Sequence, residues 1–412
     1  MRILYVTDMW DGLKDVAVDG ELEPRGMPSF INALRGLLEA GHQVDLIVAA
    51  KTVQRLDIGP DWLKPCEFEL VPWNIAGALN RTKSFVRVFR ATRRRIRSGR
   101  YDFVYAQGAI GAIGNLAAWL RRVPCGGRLY GSWLGPVCAA IEELGPFARR
   151  ARTARLALAH PLEAALLRLP KSFLIATNDG TRSDVVQRVL GRDRYEFHHV
   201  LNGRPISPPS FDGDPLPVAL ADSSLPFILF PARIMAYKQP HLAVDLLEEL
   251  TALLGGDGVD VILAGPIEDE GYAESILDRA RRKGLIDRLH LLGAVSPARL
   301  RALRTHARCL CVASFNEVSN LGNVALETLA DGAVLLSQRD TSVELMARDR
   351  HSALLVDDMA EGARALKGLL DDPSIADSIR AAAAREAAAK ILPWPERIDW
   401  EVSIVEQAVH AS

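Results

Sequence analysis

"PFILFPARIMAYKQPHLAVDLLEEL", Pro226 to Leu250, reads as a strand, a polar loop and a helix in direct succession. Phe227 to Phe230 form a short apolar run of the kind buried in a parallel sheet, whereas the stretch from Ala243 spaces its apolar residues at helical intervals. The same alternation continues downstream through "VDVILAGP", "YAESILDRARRKG", "RLHLLGAV", "PARLRALRTHA", "RCLCVAS" and "NVALETLADG". Strands separated by helical patterns predict βαβ units and a parallel sheet. Upstream, "RILYVTD", "SFINALRGLLEAGH", "QVDLIVAA", "FVRVFRATRRRIRSG", "YDFVYAQ", "KSFLIATND" and "EFHHVLNG" predict another. Between the two series, "NGRPISPPSFDGDPLPVALADSSLP" is rich in Pro, Gly, Asp and Ser and reads as an exposed connection. The expected organisation is an α/β chain with a Rossmann-like doubly wound domain over 1–205, a linker over 206–223 and a second such domain over 224–394. A last helix, about 395–412, offers Trp400, Val402, Ile404 and Val405 as an apolar face and is expected to return to the first domain.

A chain of 412 residues exceeds what one core usually serves, which agrees with two domains. Lys and Arg number 50 against 51 Asp and Glu, so the net charge of -1 gives no global pull toward nucleic acid or an anionic membrane. The five cysteines are odd in number and lack metal-ligand spacing, so reduced, structural thiols are expected. "MRILYVTDMWDG" meets Asp8 too early for a signal peptide, and no apolar run approaches the roughly 20 residues of a membrane span. A cytoplasmic enzyme is the expectation.

Ligands of doubly wound sheets lie beyond the carboxyl ends of the strands, so the chemistry is to be sought in the βα loops. The first of these, "VTDMWDGLKDVAVDGELEPRGMPSF", is a long polar loop with no G-x-G-x-x-G, which disfavours nicotinamide chemistry. Gly26 precedes the helix near Ser29, where backbone N–H groups can face an anion; a plain turn glycine is the equal alternative. Arg233 and Lys238 follow an apolar strand, and two cations there can neutralise a pyrophosphate, the alternative being two solvated loop charges. "SFNEVSNLGNVALETLADG", Ser314 to Gly332, has the short polar residues and glycine of a backbone concavity that runs straight into a helix. That helix is expected to be buried and still carries Glu327, a carboxylate that would need donors to offset its burial.

The order "ARIMAYK", "LAGP", "LLGAVS", "SFNEVSNLGNVALETLADGAVLLS" and "VELMARDRHSALLV" resembles the retaining, nucleotide-sugar-dependent glycosyltransferases of family 4. "EAGHQVDLIVAA" and "VLNG" resemble that family's second strand and pre-linker segment. The resemblance implies the GT-B fold, two Rossmann-like domains facing across a cleft, the first on the acceptor side and the second binding the donor. It implies that Arg233 and Lys238 hold the donor diphosphate, with Asn320, Leu321, Gly322 and Asn323 along the glycine loop. Glu327 would then bind the ribose hydroxyls and Val295 the base. The chain departs from the family at two places: Ser319 stands where a second glutamate is usual, with Glu317 two residues upstream, and Tyr130, close to Ser132, stands where a catalytic-site histidine is usual. The implied catalytic set is therefore Arg233, Lys238, Glu317, Ser319 and Tyr130.

The reaction implied is hexosyl transfer with net retention from a UDP or GDP sugar to a glycan, lipid-linked or small-molecule acceptor. It needs no metal or other cofactor, because cations and helix N-termini stabilise the leaving diphosphate. "DGD", Asp212 to Asp214, is read as a turn and not a metal motif. Two alternatives remain at this level: a GT-B-fold sugar-nucleotide epimerase, which would need no acceptor, and a catalytically silent nucleotide-sugar-binding protein. No nucleic-acid partner is expected. The stretch Arg81 to Arg100 contains no acidic residue, and Phe85, Val88, Phe89 and Ile96 give it an apolar side. A crossover helix with solvated arginines is favoured because it leads directly into "YDFVYAQ". The alternative is a weak peripheral contact with the inner face of the membrane.

Overall fold

The computed structural model describes residues 1–9, 11–17, 28–51, 60–129, 134–177, 183–191, 195–221, 223–255, 258–315 and 322–411. The chain divides into two compact units, residues 1–203 with 394–412, and residues 204–393.

The first unit is built on β1 (Arg2–Asp8), β2 (Gln43–Ala50), β3 (Phe68–Pro72), β4 (Phe103–Gln107), β5 (Cys125–Leu129), β6 (Phe173–Thr177) and β7 (Glu196–Val200). They form one parallel sheet in the order β3-β2-β1-β4-β5-β6-β7, so the winding reverses between β1 and β4. One face of the sheet is covered by the helices Asp11–Ala17, Pro28–Glu39 and Trp394–His410. The other is covered by Ala78–Gly99, Gly111–Trp119, Gly135–Glu142, Pro161–Arg168 and Ser183–Leu190. The loop after β1 is not wholly polar coil: Leu13, Val16 and Ala17 recur at helical spacing, and all three are buried on the helix Asp11–Ala17.

The helix Trp394–His410 completes the first unit. It packs on Pro28–Glu39 so closely that a Cβ on Gly36 would stand 2.2 Å from Ile398 Cγ2. It also carries Glu401 into the core. The carboxylate accepts from Arg128 of β5, from the Tyr105 hydroxyl of β4, and from Arg397 Nη1 at 2.9 Å. Two guanidiniums, nearly inaccessible to solvent, thus share one equally buried carboxylate, where an isolated charge would be very costly.

The second unit contains β8 (Phe227–Phe230), β9 (Asp260–Ala264), β10 (Leu289–Gly293), β11 (Cys309–Ser314), β12 (Leu335–Gln338) and β13 (Leu354–Val356). All pair in parallel in the order β10-β9-β8-β11-β12-β13, the doubly wound order in which β8 and β11 flank the reversal. Residues 206–223 lie in this unit. Leu216 and Leu220 bury themselves against Phe227, Leu229 and Leu303, so this segment is anchored by its apolar residues and is not merely an exposed connection. Gly213, at φ 102°, and the Asp214 carboxylate, which accepts from Leu216 N, make "DGD" a turn.

The stretch 81–100 lies on the helix Ala78–Gly99, whose Val88 and Ile96 are buried against the sheet. Its arginines are not uniformly solvated. Arg94 and Arg95 pair with Glu69 of β3, and Arg95 also reaches Glu67 at 2.6 Å.

Candidate functional site

In a parallel sheet every strand ends at the same edge, so the second unit brings the loops after β8, β9, β10 and β11 together there. Arg233 stands three residues past β8. Its neighbour Ile234 is fully buried, donates to Pro266 O at 2.9 Å, and accepts from Glu268 N at 3.2 Å. The β8 loop is thereby stitched to the β9 loop. Gly265 permits this approach, because a Cβ there would lie 2.0 Å from the Ala232 carbonyl oxygen. The Arg233 guanidinium, anchored by this backbone, is half exposed, and among the described carboxylates it comes within 4.0 Å of Glu268 Oε1 alone. Such a distant, exposed pair holds little energy and leaves the cation available to an anion.

Lys238 ends a single 3-10 turn, Ala236–Lys238, that delivers the chain to the helix His241–Leu254. Its ammonium lies 5.7 Å from the centre of the Tyr237 ring. Gln239 follows in the left-handed region at φ 54°, an uncommon backbone state for a residue with a Cβ. Next to it His241 Nδ1 and the Tyr272 hydroxyl are 2.6 Å apart, tying the start of this helix to the helix Glu270–Arg282.

At the end of β11, the Ser337 hydroxyl donates to Ser314 O at 2.7 Å and fixes where the strand stops. Gly322 caps the helix Asn323–Ala330, whose first turn contains no acidic residue. Its N-terminal end offers backbone donors and the positive end of the dipole to an anion. Val295 lies in the loop after β10, between Gly293 at φ 65° and Ser296, whose hydroxyl caps the helix Pro297–Arg304. Arg233, Lys238, Val295, Gly322 and Asn323 all lie on the loops and first helical turns that leave this edge, and Glu327 follows in the second turn of the helix begun at Asn323. Gly26, Tyr130, Ser132, Glu317, Ser319, Asn320 and Leu321 lie outside the described residues.

Glu327 corrects the expectation of burial. Its side chain is 40% exposed, and Oε2 accepts from Arg304 Nη1 at 2.9 Å. Arg304 is the buried member, with its side chain 3% exposed and clamped also by Asp331 Oδ2 at 2.8 Å. Arg301 donates to the other oxygen of Asp331 at 2.8 Å. Burial opposes the Arg304 charge, but Glu327 and Asp331 outweigh it and raise its pKa. The helix therefore keeps a carboxylate at 327 in part because a buried guanidinium lies beneath it. Arg301, Arg304 and Asp331 escaped the sequence reading. Their signal was two cations three apart on one helix and two carboxylates four apart on another, and nothing local says that these faces meet.

Among the described residues no cluster of three or more His, Cys, Asp or Glu side chains is arranged to hold a metal. What this edge can do chemically is bind an anion with two cations and a helix N-terminus, next to a half-anchored carboxylate that can accept hydrogen bonds.

Residues 217–389 match the sequence model of the family described as Glycosyl transferases group 1. No curated protein matches the chain by sequence. Among solved structures the chain is similar to sucrose-phosphate synthase from Thermosynechococcus elongatus, at 15% identity and a TM-score of 0.70, over 99% of this chain and 100% of that one. It is similar to a glycosyltransferase from Rickettsia africae at 13% identity and a TM-score of 0.70, over 100% and 99%. It is also similar to Anabaena HepE, solved in complex with UDP and glucose, at 16% identity and a TM-score of 0.65, over 100% and 99%. These likenesses establish the two-domain GT-B architecture.

Proposed function

We propose that this glycosyltransferase moves a hexose, with net retention and in the manner of family 4, from a UDP- or GDP-sugar to a nucleophilic group of a glycan, lipid-linked or small-molecule acceptor. The observation that carries the reading is the pair Arg233 and Lys238 after β8, facing the same sheet edge as the helix N-terminus at Asn323 after β11. These are the two strands at the reversal, where a doubly wound sheet takes its ligand. A diphosphate leaving group gains one further negative charge as its bond to the anomeric carbon breaks, and fixed cations and a helix dipole stabilise that charge without reorganising. The charge supplied by Arg233 and Lys238 supports a metal-independent reaction. Glu327 Oε1 is the acceptor for the ribose hydroxyls, Oε2 being held by Arg304. The complex of HepE with UDP and glucose supports a nucleotide donor of this kind.

The test is titration of the full chain with UDP- and GDP-sugars in EDTA, followed by NMR of the product anomer. Replacing Arg233 and Lys238 together by Ala should weaken the preferred donor by about 1.5 to 3 kcal/mol per contact. Activity abolished by EDTA and restored by Mg²⁺ would overturn the cation-pair mechanism, and an inverted product would overturn retention. Turnover of the donor with no acceptor requirement would favour an epimerase.

A further inference from the structure

The helix Pro146–Ala159 contributes no buried side chain. Thr153, Leu156 and Ala157 face the rest of the first unit and are half-buried, while Phe147 and Leu158 are 89% and 82% exposed. Their spacing is about three turns, so both project from the outer side of the helix along one stripe, with Ala151 and Ala154 between them. By helical geometry Arg150 and Arg155 flank this stripe on its two sides, Arg152 lies further round beside Arg155, and the helix has no acidic residue. Arg149 approaches Glu142 at 3.9 Å, but Arg150, Arg152 and Arg155 meet no carboxylate among the described residues. Helix stability alone would select the opposite charge near the N-terminus.

A second cationic and partly apolar patch lies beyond the neighbouring helix Pro161–Arg168, which itself carries Glu163. Pro161–Arg168 packs between Pro146–Ala159 and Gly111–Trp119, which packs in turn on Ala78–Gly99. Just past Gly111–Trp119, Arg121 has a buried Nε with no hydrogen-bond partner, and burial together with Arg93 and Arg97 lowers its pKa. Trp119 and Leu120 beside it are half exposed. A helical layer that sets like charges together and leaves large apolar groups bare matches an anionic bilayer. The acyl boundary takes the apolar side chains and the headgroup phosphates take the arginines. A second copy seated symmetrically on this face would instead oppose arginine with arginine.

We infer that the helix Pro146–Ala159 is an in-plane anchor for an anionic lipid surface, with Phe147 and Leu158 inserted and Arg150, Arg152 and Arg155 among the headgroup phosphates. The test is flotation of the full chain with vesicles of phosphatidylcholine alone or mixed with phosphatidylglycerol. The wild type should float with the mixed vesicles only, and less at high salt. Phe147→Ser with Leu158→Ser, and separately Arg150→Gln with Arg152→Gln and Arg155→Gln, should each weaken partitioning roughly tenfold or more. Thermal stability should be unchanged, because none of these side chains is buried. Failure of the wild type to bind the mixed vesicles, or equal binding by all three proteins, would overturn the inference. A dimer in sedimentation that the serine variant dissolves, without vesicle binding by the wild type, would assign the face to a second copy instead.

Discussion

Glu327 pairs with Arg304 and is our proposed ligand of the donor ribose, and a single substitution separates the two roles. Glu327→Gln keeps the shape and one acceptor but removes the charge. Arg304 retains Asp331, so folding stability should fall by only about 1 kcal/mol or less. Donor affinity should fall by about 1.5 to 3 kcal/mol, and the preference for ribose over 2′-deoxyribose donors should shrink. Equal discrimination by both proteins in titration calorimetry would remove Glu327 from the donor site. Lys171 shifts the other way from Arg304, because its buried ammonium donates to the Leu169 carbonyl oxygen but meets no carboxylate among the described residues. Burial pushes its pKa from 10.5 down to about 8, although its ammonium lies 3.9 Å from the centre of the Tyr195 ring. Between these values the unfolded chain holds the proton that the folded one has lost, so the contribution of Lys171 to stability rises with pH across that window and is least below it. In urea unfolding, the wild type should gain on Lys171→Met by up to about 1.4 kcal/mol per pH unit from pH 8 upward. A flat difference would mean that the ammonium stays solvated in the folded protein.

At the scale of elements, periodicity made most of the fold legible. Each quoted apolar run from "RILYVTD" to "RCLCVAS" is a strand, and the central ones announce themselves locally because they are buried on both faces, whereas the edge strands Glu196–Val200 and Leu289–Gly293 are only partly buried. The helix Asp11–Ala17 was missed because only Leu13, Val16 and Ala17 mark its face amid polar neighbours. At the candidate site, the positions of Arg233, Lys238 and Asn323 after their strands were legible for the same local reason. The partner of Glu327 was not, since Arg304 reaches it from another helix. Two changes probe these elements. Gly265→Ala should drive the β8 loop away from β9, costing about 1 to 3 kcal/mol of stability and weakening donor binding further through Arg233. Thermal unfolding and donor titration read the two losses separately, and a variant with wild-type values would mean that the stitch between the loops does not position the cation. Arg304→Met leaves the buried Asp331 with Arg301 alone, and should cost about 3 kcal/mol or more in urea unfolding. A loss below 1 kcal/mol would show the cluster to be well hydrated.

For the whole molecule, the two units have separate cores and invite separate transitions in calorimetry. Glu401→Gln would leave Arg128 and Arg397 buried around a neutral amide, which should lower the stability of the first unit by about 3 kcal/mol or more and hardly touch the second. A variant that shifts both transitions equally would show that the units unfold as one. The same helix has a meaning for biosynthesis. The second unit has all its residues once 393 has left the ribosome, whereas the first, although translated earlier, lacks the wall formed by 394–410. During elongation Arg128 waits without its counter-charge and the face around Gly36 stays uncovered, so the usual order of completion, N-terminal domain first, is inverted. A polypeptide released before Glu401 would carry a finished second domain and an unclosed first one, and that exposed face would mark the product as incomplete to chaperones and proteases.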